Sequence, residues 1–523
     1  MTKGQAMSGQ DAWLTLDFIH RQARARPGKL AVQELASGRA LSYSGLEAEL
    51  RRCESYLRTT LSGPGARVAV LARNRVHHIT LFYGCPRAGA VFQPLNWRLA
   101  GPELAVLLED AAPELLIYEA EFEAEAQAAL AQVTVANILR IAPGDDPFAR
   151  ALAAAEPVPE PGLIDPAAPA MLLYTSGTTG RPKGVIVTPR TAFYAAMNYS
   201  QVGELCAEHA MLCDVPLFHV VGVLAILHGS FFTGGTVHLS DRFTAPETLQ
   251  RLSDPALCVS HYFCVPQMAQ ALLDDPAFAL ADLRGLRLFT GGAPMPAGVT
   301  LALIDAGVRP SNGYGMSENG TVLGVPLDPE IARAKVGSAG IAAPAIEVRL
   351  VGRDGVDVKP GEPGEVWLRG PSVMPGYWNQ PQATARTFAP GGWFKTADAA
   401  RQDEDGYYFI VDRWKDMYIT GGENVYPAEV EAALAEMPLV AEAAVVGVPD
   451  TRWGEAGCAY VVLRPGKPCD IATVMAWCDG RLARYKRPAH VRFISELPRT
   501  ASGKIQKDIL RRAFADSQPE SKS

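Results

Sequence analysis

Between residues 174 and 185 the chain reads YTSGTTGRPKGV. Gly177, Gly180 and Gly184 let backbone amides come close to an anion. Thr175, Ser176, Thr178 and Thr179 add hydroxyl donors, and Lys183 adds a positive charge. That combination suits phosphate oxygens. A Walker loop, however, ends in Gly-Lys-Ser/Thr, and here the order is Lys183-Gly184-Val185. The string therefore fails as a Walker loop. A second string, NGYGMSENG, spans residues 312–320. In it, Tyr314 offers an aromatic face to a base, Ser317 a hydroxyl and Glu318 a carboxylate. One carboxylate is enough for Mg²⁺ carried on nucleotide phosphates, which takes only one or two from the protein. Standing alone, a Glu after a Ser is more often a cap or a solvated charge.

Two further strings lie downstream. In the stretch 391–431, Asp398 is placed to accept hydrogen bonds from ribose hydroxyls, and the Arg413 fork suits the same sugar or a phosphate. The run ITGGEN supplies Gly421, Gly422 and Glu423 on a pliable backbone. In LPRTASGKIQK, Lys504 follows Ser502 and Gly503, so its stem leaves a loop.

The elements that must position these strings alternate. ARVAVLA, PELLIYE and MLLYTSG read as buried strands, and HHITLFYGCPRAGA as a helix between two of them. HAMLCDVP, GGTVHLS, VSHYFCVP and LRLFTGGAP continue the strand pattern. Alternation of this kind predicts an α/β fold with parallel strands. The Pro- and Ala-rich run from 143 to 170 reads as a surface connection. From residue 337 the pattern turns to hairpins, as in IEVRLVGRDGVDVKPGEPGEVWLRG and DEDGYYFIVDR, which predicts a small β-rich unit. The last hundred or so residues run helix, strand, strand, helix, strand, a small α+β domain. The expected division is 1–412 and 413–523.

Composition bounds the function. The chain has 523 residues, enough for two or more domains, and a net charge of −7 without long charged runs. That argues against a nucleic-acid partner. Nine scattered cysteines with no CxxC pair read as reduced thiols, with no zinc pattern. The N-terminus lacks the apolar core of a signal peptide. The most apolar stretch, VPLFHVVGVLAILHGSFFTGGTV, is broken by His219, Gly222, His228 and Gly229. It reads as a buried helix with flanking turns rather than a membrane span. A soluble, cytoplasmic protein is expected.

Together the four strings, in their order and spacing, resemble the acyl-adenylate-forming superfamily of acyl-CoA synthetases, luciferases and peptide-synthetase adenylation domains. The resemblance covers roughly residues 14–513. It implies a large N-terminal domain of two α/β sheets plus a small β-barrel, and a smaller mobile α+β C-terminal domain hinged at Lys415. It implies that the loop from Thr175 to Lys183, with Ser176, Gly177, Thr178, Thr179 and Gly180, holds the β- and γ-phosphates of ATP. Gly292, Ala293 and Pro294 would frame adenine with Asn312, Gly313, Tyr314, Gly315 and Met316. Ser317 would contact the α-phosphate and Glu318 would bind Mg²⁺. Asp398, Ile410 and Arg413 would hold the nucleoside, and Lys504 would serve the adenylation step. Gly421, Gly422 and Glu423 would line the tunnel for coenzyme A.

The implied reaction joins a fatty or aryl acid to CoA through an acyl adenylate, with ATP, Mg²⁺ and CoA as cofactor and co-substrates. His219 would stand with the catalytic set at the acyl pocket, a core histidine being the equal alternative. Val220, Val223, Leu224, Phe231, Tyr262 and Gly291 would complete that pocket. No Arg or Lys stands among them, which disfavours a dicarboxylate. Two other outcomes of the same motifs stay open: loading of a carrier protein, and a luciferase-like oxidase. The absence of a carrier segment after residue 523 favours CoA. The sequence gives no oligomeric state; a homodimer is compatible with it. One departure stands out: Ala397 occupies the position where the family has glycine before the ribose aspartate.

Overall fold

The computed structural model describes residues 17–175, 182–293, 295–414, 416–420, 423–466, 469–479, 481–499 and 505–517. The chain falls into two compact units, 1–348 with 368–394 and 349–367 with 395–523. The segments 349–367 and 395–412, expected from the sequence to belong with the first domain, group with the second unit.

The first unit is built on two sheets. In the nine-stranded sheet, six neighbours run parallel: Arg309–Met316, Arg287–Thr290, His261–Cys264, Ala210–Cys213, Thr236–Leu239 and Leu30–Glu34. The central strands are buried at nearly every position. Strands covered on both faces show continuous apolar runs rather than alternation, and that is why HAMLCDVP and its counterparts were readable. The six-stranded sheet holds five parallel strands, Asn137–Ile141, Leu115–Glu119, Arg67–Leu71, Val91–Pro94 and Met171–Thr175. Its edge strand, Lys183–Val187, is antiparallel to Met171–Thr175.

The run broken by His219 and Gly222 is a helix, as expected, but of unusual pitch: Val221–His228 is a π-helix, continued by the α-helix Gly229–Thr233. A Cβ on Gly222 would lie 2.4 Å from the Pro216 carbonyl oxygen. That close approach explains why glycine interrupts the apolar run. The segment 143–170 corrects the sequence reading. It contains the helix Pro147–Ala154, capped by Asp146, which buries Phe148 and Leu152. The Phe148 ring packs edge-on against His77 and Tyr56. Its alanines leave only two large apolar side chains, Phe148 and Leu152, too few for periodicity to announce the helix.

In the second unit, residues 398–402 pair with Tyr408–Arg413. In the long hairpin Val440–Asp450 and Gly454–Leu463, the second strand pairs in parallel with His490–Phe493 and, at its start, antiparallel with Tyr418–Thr420, Thr420 opposite Gly454. The helices Pro427–Ala435 and Ile471–Cys478 cover it, with Val430, Leu434, Val445, Val461 and Val474 in the core. The predicted order of helix, strand, strand, helix, strand is present, followed by the helix Lys507–Asp516.

Among the buried histidines of the first unit, His78, His209, His228 and His261 are the ones whose titration burial shifts furthest. Burial is the main cause that pushes their pKa values down, to about 3 for His78, His228 and His261 and about 4 for His209. The unfolded chain protonates them near ~6.5. Their contribution to stability is therefore full above that pH and is lost as pH falls toward the folded values, at up to ~1.4 kcal/mol per pH unit for each. Denaturant unfolding at pH 5.5 should give a stability lower than at pH 7.5 by roughly 3–5 kcal/mol. A flat profile over that interval would contradict the assignment.

Candidate active site

The phosphate-like string begins and ends on paired strands. Thr175 lies opposite Lys183, and Tyr174 opposite Gly184. Residues 176–181, which include Ser176, Gly177, Thr178, Thr179 and Gly180, lie outside the described residues. A Cβ on Gly184 would come 3.1 Å from the Tyr174 ring and 3.2 Å from the Trp378 Cβ, tight enough to explain glycine there. The Trp378 amide donates to the Gly184 carbonyl at 2.7 Å, and Val185 and Tyr377 form a backbone bridge. The segment 376–380 thus lies along the strand that Lys183 opens. The Lys183 ammonium sits 4.8 Å from the centre of the Tyr377 ring, within cation–π range.

Ser317 and Glu318 sit at the turn of a hairpin. Arg309–Met316 pairs antiparallel with Gly320–Gly324, Met316 opposite Gly320. The turn is tight. A Cβ on Gly315 would lie 2.1 Å from the Gly320 carbonyl oxygen, and Gly320 has φ +67°. Buried Asn319 accepts from the Met316 amide at 3.2 Å and so pins the turn. The Glu318 carbonyl accepts from the Met374 amide at 2.7 Å, and its Oε1 accepts from the Tyr377 hydroxyl at 3.0 Å. Tyr377 therefore touches both strings. Sequence reasoning missed it, since the contact spans 59 positions and GYWNQP reads only as a turn.

The neighbouring strand ends hold the remaining first-unit candidates. Thr290 lies beside Asn312 in register, and Gly291, Gly292 and Ala293 follow directly. Asn312 donates to the Ser338 carbonyl at 2.7 Å. A Cβ on Gly291 would lie 3.3 Å from the Gly313 carbonyl oxygen and 3.6 Å from the Phe263 ring, so the bare Gly291 peptide fits closely between them. Gly292, at φ +83°, and Ala293 are exposed, Gly313, Tyr314 and Gly315 half-buried; Pro294 lies outside the described residues. These strings leave the carboxyl ends of adjacent parallel strands, where open α/β sheets bind ligands.

The loop after Ala210–Cys213 carries His219. It is held by Asn74, whose side chain donates to the Val215 and Ser240 carbonyls and accepts from the Leu217 amide, each at 2.9 Å. His219 is open to water on one side and walled by protein elsewhere. That wall, and next the Arg98 charge, push its pKa down, so it is neutral at pH 7. Val220 is half-buried. Val223, Phe231 and Tyr262, expected to line an acyl pocket, have no accessible surface, and Leu224 has almost none. Phe231 packs edge-on against Tyr43 and Tyr83, and the Tyr262 hydroxyl donates to buried Asp214. These side chains back the loop rather than face an open space.

In the second unit, Asp398 is buried and lies opposite Arg413 in register, with Ile410 opposite Ala400 on the same ladder. Ala397 has φ +59°, the left-handed region that favours glycine. It is held there by bonds from its amide to Glu365 and from the Trp414 amide to its carbonyl. Glu423 is exposed on a short strand opposite Thr420. Lys415, Gly421, Gly422 and Lys504 lie outside the described residues, as does the Arg413 side chain.

No group of three or more His, Cys, Asp or Glu side chains forms a metal cage among the described residues. A single anchored carboxylate, Glu318, fits a divalent ion that brings most of its ligands on nucleotide phosphates.

The sequence pattern of the AMP-binding enzymes matches residues 19–378, and that of the AMP-binding enzyme C-terminal domain residues 429–504. The chain is 41% identical to a feruloyl-CoA synthase of an Amycolatopsis species, over 94% of this chain and 98% of that one. It is 39% identical to the indoleacetate–CoA ligase of Aromatoleum aromaticum, over 95% and 98%. With the long-chain-fatty-acid–CoA ligase FadD13 of Mycobacterium tuberculosis it shares 35% over 96% and 99%. Its fold superposes with TM-score 0.83 on o-succinylbenzoate CoA synthetase of Bacillus subtilis bound to an acyl adenylate, 30% identical over 96% of this chain and 98% of that one. The Bacillus enzyme has also been solved with ATP and magnesium.

The left-handed Ala397 yields a direct test. Replacing it by glycine removes a strain of ~1 kcal/mol but loosens the unfolded chain by about 0.5–1 kcal/mol. Ala397→Gly should therefore melt at the same temperature or slightly higher. A loss of stability above ~1 kcal/mol would show that the alanine methyl makes a packing contact of its own.

Proposed function

The chain belongs to the AMP-binding enzymes and is an ATP-dependent acid–thiol ligase that forms acyl-CoA through an acyl adenylate; from that premise we propose that its acid is aromatic, and we assign its residues the following roles. The carboxylate oxygen of the acid attacks the α-phosphorus of ATP, and the bond to the bridging oxygen breaks to release pyrophosphate. The CoA thiolate then attacks the acyl carbonyl and AMP leaves.

Two anions must meet in the first step, and charge builds on the leaving oxygens. Positioning and electrostatic stabilisation dominate such transfers. Thr175, Lys183 and the loop between them hold the departing β- and γ-phosphates. Tyr314, with the peptide faces of Gly292 and Gly315, frames adenine. Ser317 donates to the α-phosphate. Asp398 and Arg413 hold the ribose. Lys504 orients the carboxylate toward the α-phosphate and offsets the charge that develops. Glu318 holds Mg²⁺, which when bound offsets charge on the phosphates. The observation that carries this reading is the bond of Glu318 to Tyr377 beneath Lys183. It brings two of the strings assigned to phosphate chemistry onto one side chain.

An aromatic acid is favoured by the bare peptide at Gly291, which meets the Gly313 carbonyl with the Phe263 ring alongside. Flat peptide faces suit a planar ring. The relatives that act on feruloyl and indoleacetyl groups are also more similar than the fatty-acid relative. His219, neutral at pH 7, adds no charge of its own, although the Arg98 charge acts on it. A cytoplasmic site of action is part of the same reading, supported by nine free thiols and by the lack of any described helix long and apolar enough to cross a membrane.

Acid-dependent pyrophosphate release should be fastest with hydroxycinnamic or arylacetic acids, and slower with fatty acids of eight to sixteen carbons at ~10-fold or more in kcat/KM. A preference for the fatty acids would overturn the choice of acid alone. Lys504→Ala should lower adenylation by about 10²–10³-fold, while thioester formation from preformed acyl adenylate and CoA is retained. Full adenylation by that variant would remove Lys504 from its assigned role.

A further inference from the structure

The Tyr377 side chain contacts both Glu318 and Lys183. It is 8% exposed, so little water competes for its hydroxyl. The chain on either side of it is fixed. Its amide donates to the Thr384 hydroxyl at 2.9 Å, and its neighbours are bonded along the strand opened by Lys183. The Gln380 side chain donates to the Pro182 carbonyl at 3.1 Å.

A donor locked onto one carboxylate oxygen fixes the plane of the carboxylate. An aromatic face under an ammonium fixes where that charge stands. Both effects come from one ring, whose position is set by backbone bonds rather than by its own flexibility. We propose that Tyr377 is a positioning residue for the adenylation step: its hydroxyl orients Glu318 toward the divalent ion, and its ring seats the Lys183 ammonium against the ATP phosphates. This rests on the assignment of Glu318 to the metal.

The full chain is used, without acid, so that ATP is bound but not consumed. ATP affinity is measured by titration calorimetry at stepped Mg²⁺ concentrations. Tyr377→Phe keeps the ring and removes the donor. It should raise the Mg²⁺ concentration for half-maximal ATP affinity roughly five- to tenfold, the loss of about one hydrogen bond. The melting midpoint and the KM for the acid should stay as they are. In a Glu318→Gln background the same change should have no further effect. Tyr377→Leu, which also removes the ring, should in addition weaken ATP binding in the absence of Mg²⁺.

If Tyr377→Phe leaves the Mg²⁺ dependence unaltered while Glu318→Gln changes it, the positioning role is wrong and the assignment of Glu318 stands. If Glu318→Gln changes nothing, that assignment falls and the positioning role with it. Equal losses of ATP and acid affinity together with a lowered melting midpoint would mark Tyr377 as structural only and overturn the proposal. If Tyr377→Leu binds metal-free ATP as well as Tyr377→Phe does, the seat for Lys183 is refuted.

Discussion

Two consecutive side chains at the end of the strand Arg67–Leu71 tie the two sheets of the first unit together. Asn74 reaches out of the six-stranded sheet and bonds three backbone groups that follow strands of the nine-stranded sheet. Arg75 stands between Glu34, on the nine-stranded sheet, at 3.0 Å and Glu119, on the six-stranded sheet, at 2.5 Å. The same carboxylates accept from the amides of Val76 and Arg73. Buried polar groups of this kind are costly when unpaired, and here Asn74 satisfies carbonyls that would otherwise be stranded between sheets. The loop that presents Phe218 and His219 therefore has one seat, and the other candidate residues of the first unit stand at strand ends whose relative placement this clamp fixes.

The chemistry on those strand ends is a matter of backbone proximity. A methyl group at Gly315 would strike the Gly320 carbonyl, and one at Gly320 would strike Ala195, so the hairpin that carries Ser317 and Glu318 closes on bare backbone. Asn319 holds the turn from within. Ala397 shows the opposite arrangement: the left-handed backbone beside Asp398 persists although the residue is not glycine, because two flanking hydrogen bonds enforce it. Strain of that order, about 1 kcal/mol, is small beside the stability of a large domain, which explains how the departure from the family pattern is tolerated.

Charge and burial divide the histidines by role. His78, His209, His228 and His261 are interior side chains held neutral by burial, bonded to hydroxyls or carbonyls or packed against rings. His219 shares their neutrality but faces water.

The sequence by itself determined the residue types of the site, their order, and most of the strands that carry them. Each of those signals is local: a glycine needed for close approach, a hydroxyl beside it, an apolar run long enough for a strand buried on both faces. The strands Leu30–Glu34, Val91–Pro94 and Lys183–Val187 and the helix Pro147–Ala154 escaped notice because mixed or short patterns say little without their neighbours. Tertiary structure alone decided that Val223, Phe231 and Tyr262 turn away from solvent, that Asn74 seats the His219 loop, and that Tyr377 joins Glu318 to Lys183. Burial and hydrogen-bond partnership depend on what lies across space from a residue. A contact closed over 59 or 143 positions of chain leaves no periodicity behind it in the sequence.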